Sequence, residues 1–229
     1  MKTRNGLLCG AAVLALCLPA SASPIVQTLP FSGTPNFTDT LTFDKFDDMG
    51  GTLTLTSIQV LVELNVDGGS LILDNDGVDA ASGQFEFGAT GDISSLDVAL
   101  VNASFQPVTA VLDAYYNSAF NLAGNVGDVA NDFDPSGPDG MQYFGAPETD
   151  SASGFINSTV FAQYIGLDTF DIDVEVIQWT DFGGVSGIEW AVTPVSADGE
   201  VTVIYNYVPE PATLSLLALG GLIAARRRR

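Results

Sequence analysis

The acidic residues of this chain are the ones whose type and spacing suggest chemistry, and the densest group lies at Asp74–Asp79. The segment Asp74-Asn75-Asp76-Gly77-Val78-Asp79 places oxygen-bearing side chains at alternate positions around a glycine turn. Calcium loops concentrate carboxylates in this way. The EF-hand pattern fails, because Val78 occupies the fifth position and the glycine comes two residues early. The segment therefore predicts either a calcium site of Asp74, Asp76 and Asp79 or an acidic hairpin turn.

Paired carboxylates could also support glycoside hydrolysis, which needs two acidic groups about 5 to 9 Å apart across a sugar. Trp179 and Trp190 could supply an aromatic platform for a sugar ring. Aromatic residues in strands more often belong to the core, and with 28 acidic residues some pair will meet the spacing by chance. No catalytic residue is therefore assigned. A secreted carbohydrate-binding protein or carboxylate-pair enzyme stays the alternative function.

The composition excludes most other active-site chemistry. The chain has no histidine, and its two cysteines, Cys9 and Cys17, lie in an amino-terminal segment that we expect to be removed. A Ser-His-Asp triad, a cysteine nucleophile and a zinc site with His or Cys ligands are thereby excluded from the body of the protein. We predict that the protein is not an enzyme and that it has no cofactor apart from calcium at Asp74–Asp79.

The elements that position these residues are predicted to be β-strands. In Phe170–Val176 each apolar residue is separated by an acidic one, which directs one face to a core and the other to water. From Leu53 to Val66 the apolar positions change parity, which predicts a β-bulge near Thr56 and Ser57. Further strands are predicted at 84–89, 96–105, 108–116, 155–161, 170–179, 187–195 and 200–207. The predicted fold is all-β, a single antiparallel β-sandwich of jelly-roll or Ig-like kind over residues 23–207.

Two segments rich in turn-forming residues interrupt this pattern. Asp67-Gly68-Gly69 predicts a turn that leads into Leu71–Leu73. Residues 121–154 predict a long surface loop, within which Met141–Phe144 could form a short element.

The amino-terminal end has the pattern of a secretory signal peptide. Two basic residues precede an apolar run from Gly6 to Leu18, and small side chains follow at Ala20 and Ala22. The run is shorter than the roughly 20 residues that a membrane-spanning helix needs. We therefore predict that residues 1–22 are a signal peptide and that signal peptidase cleaves after Ala22.

The carboxyl-terminal residues 208–229 combine three features in a fixed order. They are Pro209-Glu210-Pro211, an apolar stretch from Ala212 to Ala225, and the basic cluster Arg226, Arg227, Arg228 and Arg229. At 1.5 Å per residue the stretch covers about 21 Å of a hydrocarbon layer of roughly 30 Å, which predicts a short, temporary transmembrane helix. The arginines are expected to stay on the cytoplasmic side.

This carboxyl-terminal segment closely resembles the PEP-CTERM sorting signal of Gram-negative bacteria. The resemblance implies an exosortase as processing partner, with cleavage near the tripeptide. It also implies that the chain is exported, held transiently in the inner membrane, and then released or transferred to the cell surface or exterior.

Three segments of the body are similar to the choice-of-anchor E family of exported proteins. They are Leu41–Leu53 with its Phe-Asp pair and Gly-Thr-Leu step, Phe161–Gly166, and the closing strand Val201–Tyr207. The resemblance implies surface display and no known activity.

The charge of the body limits its partners. Outside the two terminal segments Lys45 is the single basic residue, whereas all acidic residues except Glu210 lie in the body. Such a surface cannot neutralise a phosphate backbone, which excludes nucleic acid, and we expect membrane contact only through the carboxyl-terminal helix. We predict a non-catalytic surface or extracellular-matrix protein with a structural or adhesive role, for which an exopolysaccharide is a candidate partner.

Overall fold

The computed structural model describes residues 23–125, 133 and 135–210, and in these ranges the chain is almost entirely β-structure. The described part also contains a single 3₁₀ helix, Ser158–Tyr164. The strands are β1 (Ile25–Gly33), β2 (Phe37–Asp44), β3 (Leu53–Asp67), β4 (Ser70–Asn75), β5 (Ala81–Ser94), β6 (Leu112–Leu122), β7 (Gly140–Phe144), β8 (Glu148–Phe155), β9 (Thr169–Asp181), β10 (Ile188–Thr193) and β11 (Ser196–Pro209). The all-β prediction is confirmed.

Two four-stranded antiparallel sheets pack face to face. The first sheet has the order β1-β11-β3-β8 and the second has the order β2-β9-β5-β6. A Cβ atom on Gly91 of the second sheet would lie 3.1 Å from the Leu64 side chain of the first. The buried residues of both sheets form one hydrophobic core.

A third sheet, β10-β4-β7, is the first sheet continued around a corner. The segment between β3 and β4 is Gly68-Gly69, and both glycines have positive φ, 70° and 74°. Glycine adopts this conformation without steric cost. A Cβ atom on Gly69 would lie 2.7 Å from the carbonyl oxygen of Thr193, which ends β10. The predicted turn is therefore present, but it bends a long strand instead of closing a hairpin between β3 and β4.

The strand order is that of a jelly roll. If each bent pair counts as one strand, the first strand pairs with the eighth (β1 with β11) and the second with the seventh (β2 with β9). The third then pairs with the sixth (β3 with β8) and the fourth with the fifth (β5 with β6). This nested pairing of eight strands in two sheets identifies the sandwich as a jelly roll and not as the Ig-like kind that the sequence also allowed.

The core is built from the apolar faces that the alternation predicts. In β9 the residues Phe170, Ile172, Val174 and Val176 are all buried. Phe43 and Phe170 stack with ring centroids 5.8 Å apart, across the β2–β9 pair. Tyr205 of β11 is also buried, and its hydroxyl donates to the carbonyl oxygen of Asp44 at 3.1 Å. Burial raises the pKa of Tyr205, so its phenol stays protonated as a donor.

The predicted β-bulge is confirmed at Thr56. Asn206 of β11 lies opposite Ser57, but the next residue, Tyr207, lies opposite Leu55, so Thr56 is the extra residue. The Thr56 hydroxyl donates to the carbonyl oxygen of Asn206 at 2.9 Å. The bulge returns Leu55 to the side of the core, which accounts for the change of parity.

Two predicted strands are wrong. Residues 96–105 lie in the loop between β5 and β6, where Leu96 is fully exposed and the Asn102 side chain accepts the backbone N–H of Ser104 at 2.8 Å. Residues 155–161 span the end of β8 and the start of the 3₁₀ helix. Asn157 caps that helix by accepting the backbone N–H of Thr159 at 3.0 Å. In both segments local side-chain to backbone bonds replace strand pairing.

Candidate functional site

The junction between the body and the predicted sorting signal is part of the folded sheet. β11 continues to Pro209, which lies opposite Leu53 of β3. The backbone N–H of Glu210 donates to the carbonyl oxygen of Thr52 at 2.8 Å, and the Thr54 hydroxyl donates to the Glu210 carboxylate at 2.7 Å. The first two residues of the tripeptide are therefore held against β3, and the strand runs past the predicted boundary at residue 207.

Both ends of the described body lie at the same end of the sandwich. Ile25, close to the predicted signal cleavage, lies opposite Tyr205 of β11. Pro209, the last residue of β11, lies opposite Leu53 of β3, the other neighbouring strand. The predicted cleavage residues Ala20 and Ala22, together with Pro211 and Arg226 to Arg229, lie outside the described residues. Within the described residues no helix is long and apolar enough to cross a membrane.

The acidic segment 74–79 links the end of β4 to the start of β5. Asp74 is 2% exposed near the end of β4, whereas Asp76 and Asp79 lie in the connecting loop. Asn75 organises this loop: its amide group donates to the carbonyl oxygen of Asp79 at 2.9 Å, and its side-chain oxygen accepts the N–H of Gly77 at 3.0 Å. Among residues 23–125, 133 and 135–210, no three acidic groups come together as a metal site. The calcium site stays a prediction.

Glu189 is a neighbour of this segment that the sequence pattern does not indicate. Glu189 of β10 lies directly opposite Asp74 of β4. The negative charge of Asp76 is the main reason that the pKa of Glu189 is raised, with further contributions from burial, a hydrogen bond to Asp76 and the charge of Asp74. Since the pair is formed between strands more than a hundred residues apart, no local pattern could indicate it.

Both tryptophans are exposed, contrary to the view that strand aromatics belong to the core. Trp179 is 38% exposed on the outer face of β9, and its ring lies near-parallel to that of Tyr115, with centroids 6.1 Å apart. Trp190 is 54% exposed on β10 and contacts Phe182 at a centroid distance of 5.4 Å. The two tryptophans belong to different sheets.

A pair of acidic groups faces one shallow groove on the outer face of the first sheet. Glu63 of β3 lies directly opposite Glu200 of β11, and both line a depression of about 220 Å³ with Ser151, Ser153 and Thr202. Neither tryptophan lines it. The Glu63–Glu200 pair is thus separate from both tryptophans.

Solved structures similar to this chain come from viruses, at low identity and low TM-score. A chain of Desmodium yellow mottle tymovirus is 11% identical, with coverage of 92% of this chain and 98% of that chain, at a TM-score of 0.17. A chain of turnip yellow mosaic virus is 10% identical, with 92% and 94% coverage, at 0.19. Similarity at this level does not establish a shared fold. No curated protein matches the chain in sequence.

The carboxyl-terminal segment gives a specific match. Residues 208–229 match the PEP-CTERM protein-sorting motif, which begins at Val208 within β11. The motif includes Pro209 and Glu210, the residues held against β3, and it extends through the basic cluster. The similarity of the body to the choice-of-anchor E family stays a prediction. The chain thus carries a PEP-CTERM sorting motif, which indicates an exported protein that an exosortase processes.

Proposed function

We propose that the body of this protein has a structural or adhesive role at the cell surface or in the surrounding matrix, without catalysis. The observation that carries the proposal is the sorting motif at residues 208–229, since a protein sorted in this way is delivered to the cell exterior. The jelly roll supports it, because two packed sheets with polar outer faces give a stable body that needs no disulfide.

The surface charge supports the same proposal. Lys45, the one basic residue of the body, forms an ion pair with Asp168 at 3.0 Å. The body has no other basic residue in its sequence, so its net charge is strongly negative. A surface with a strong negative charge repels other copies of the protein and attracts cations and cationic partners.

Cell fractionation with antibodies against the body tests the proposal in a bacterium that has an exosortase. The matched comparison is a chain truncated after Glu210, which keeps the contacts of Glu210 with Thr52 and Thr54. We expect the full chain at the surface or in the extracellular fraction, and the truncated chain to be lost from the surface. Recovery of the full chain in the cytoplasm, or an unchanged distribution after truncation, would contradict the proposal.

The second candidate is a carbohydrate-active enzyme that uses paired carboxylates, favoured by the acidic pair Glu63 and Glu200 in one groove. Release of reducing ends from a panel of polysaccharides is the assay. Activity that disappears in both Glu63→Gln and Glu200→Gln would establish this candidate and overturn the non-catalytic proposal.

A further inference from the structure

Three strands of the second sheet build an aromatic patch around a glycine. Gly88 of β5 lies opposite Tyr115 of β6 on one side and opposite Trp179 of β9 on the other. A Cβ atom at Gly88 would collide with the backbone of Ala114 and Tyr115, so no side chain fits there. The ring centroids of Tyr115 and Trp179 lie 6.1 Å apart, on either side of Gly88, which has no side chain.

Polar groups frame this patch at the next row of the sheet. Glu86 of β5 lies opposite Asn117 on one side and Asp181 on the other. One carboxylate oxygen of Glu86 accepts the indole N–H of Trp179 at 2.7 Å, and the other accepts the amide of Asn117 at 3.5 Å. These bonds fix the carboxylate beside the rings, and its remaining lone pairs are free to accept hydrogen bonds from hydroxyl groups.

The Tyr115 phenol adds a donor in the neighbouring row, where Tyr115 lies opposite Gly88. Burial and the charges of Asp113 and Glu86 raise the pKa of Tyr115, so the phenol stays protonated at neutral pH. The patch thus combines flat aromatic surface with a donor and fixed acceptors at its edge. A sugar ring has the matching surfaces, because its C–H faces are apolar and its edge carries hydroxyl groups.

We propose that Tyr115, Trp179, Glu86 and Asn117 form a binding site for a glycan that carries no acidic groups, an assignment that rests on the proposed adhesive function. The negative charge of the site would repel an acidic glycan. Asp113, Glu86 and Asp181 all lie on this face, and no basic side chain of the described residues other than Lys45 could neutralise a uronate or sulfate.

The register of the strands places this site away from the sorting motif. β1 runs from the Ile25–Tyr205 pair, beside the motif, to Gly33 at the other end of the first sheet. β2 starts there at Phe37, which lies opposite Val176 of β9. Trp179 lies three residues beyond Val176 in the same direction, so the site lies at the end of the sandwich opposite residues 208–210.

The test uses the full chain purified in mild detergent and an oligosaccharide array. The probes are cello-, xylo- and manno-oligosaccharides without charge, glucosamine oligomers with free amines, and alginate oligomers with carboxylates. Trp179→Ala and Tyr115→Ala remove the rings, and Trp190→Ala is the control because it removes an exposed tryptophan from a different sheet. Thermal melting of each variant shows whether it is folded.

We expect binding to at least one uncharged or amine-bearing glycan and none to alginate. Trp179→Ala and Tyr115→Ala should weaken that binding at least tenfold while Trp190→Ala changes it less than twofold. Glu86→Gln separates the two ligand types, since loss of charge should weaken an amine-bearing glycan more than an uncharged one. Absence of binding across the array, or equal losses in Trp179→Ala and Trp190→Ala, would overturn the site. Because the purified chain is used, this result is independent of where the cell delivers the protein.

Discussion

At the scale of single residues, the acidic groups around β4 and β10 interact with each other. Asp74 lies opposite Glu189, and Asp76 lies close enough to raise the pKa of Glu189. A raised pKa means that the folded chain favours the protonated form. The contribution of Glu189 to the free energy of unfolding is therefore greatest below its unfolded pKa and is lost as the pH rises through the folded pKa.

We predict that Glu189→Gln raises the melting temperature at neutral pH, because glutamine removes the repulsion with Asp76. The same change should reduce the dependence of stability on pH just above the ordinary glutamate pKa. Thermal melting between about pH 4 and pH 7 measures both effects. Glu148→Gln is the control, since Glu148 of β8 lies opposite Val66 and not opposite an acidic group. If Glu189→Gln and Glu148→Gln give the same pH profile, the interaction with Asp76 does not affect stability.

The acidic segment also predicts a response to salt. We expect screening of the repulsion between acidic groups to raise the melting temperature equally in calcium and in sodium chloride at equal ionic strength. The comparison is made in chelator, in calcium and in sodium chloride. A rise specific to calcium that Asp76→Ala abolishes would refute this expectation and establish a calcium site at Asp74, Asp76 and Asp79.

At the scale of elements, the corner between the first and third sheets depends on close approach of two backbones. Gly68 and Gly69 have nearly the same positive φ, but only Gly69 has backbone atoms within 4 Å of its missing Cβ position. Substitution of Gly68 therefore tests backbone strain alone, whereas substitution of Gly69 tests backbone strain together with steric collision.

We predict that Gly69→Ala lowers the free energy of unfolding more than Gly68→Ala does. Gly68→Ala should cost about 1 kcal/mol, from the positive φ alone, and Gly69→Ala should cost at least about 2 kcal/mol because Thr193 and Val195 must also move. Urea unfolding of the two variants measures the difference. Equal losses would show that the corner can open without cost.

Alternation of apolar residues was enough to predict β3 and β9, whereas β1, β2 and β8 were not predicted from the sequence. β3 and β9 and the bulge at Thr56 follow from the positions of buried residues along one strand. β8, with the sequence ETDSASGF, has one apolar residue larger than alanine and forms because it pairs with β3. The site at Tyr115, Trp179 and Glu86 depends on pairing between distant strands, which local alternation does not encode.

At the scale of the whole molecule, the jelly roll brings the start of β1 and the end of β11 to one end of the sandwich. The sorting motif begins within β11, and its third residue, Glu210, is still bonded to Thr52 and Thr54. A cut near the tripeptide, which the resemblance to the PEP-CTERM signal implies, would leave every strand of the jelly roll in the processed body.

The central claim is that this chain is exported and then cut at its sorting motif, and the mass of the intact protein outside the cell tests it most directly. Mass spectrometry of the protein recovered from the surface or the medium should give a chain that starts at Ser23 and ends near Pro209-Glu210-Pro211. The same measurement in cells without exosortase should give a chain that still carries Arg226 to Arg229. Recovery of that longer chain from the exterior of exosortase-containing cells would contradict the claim.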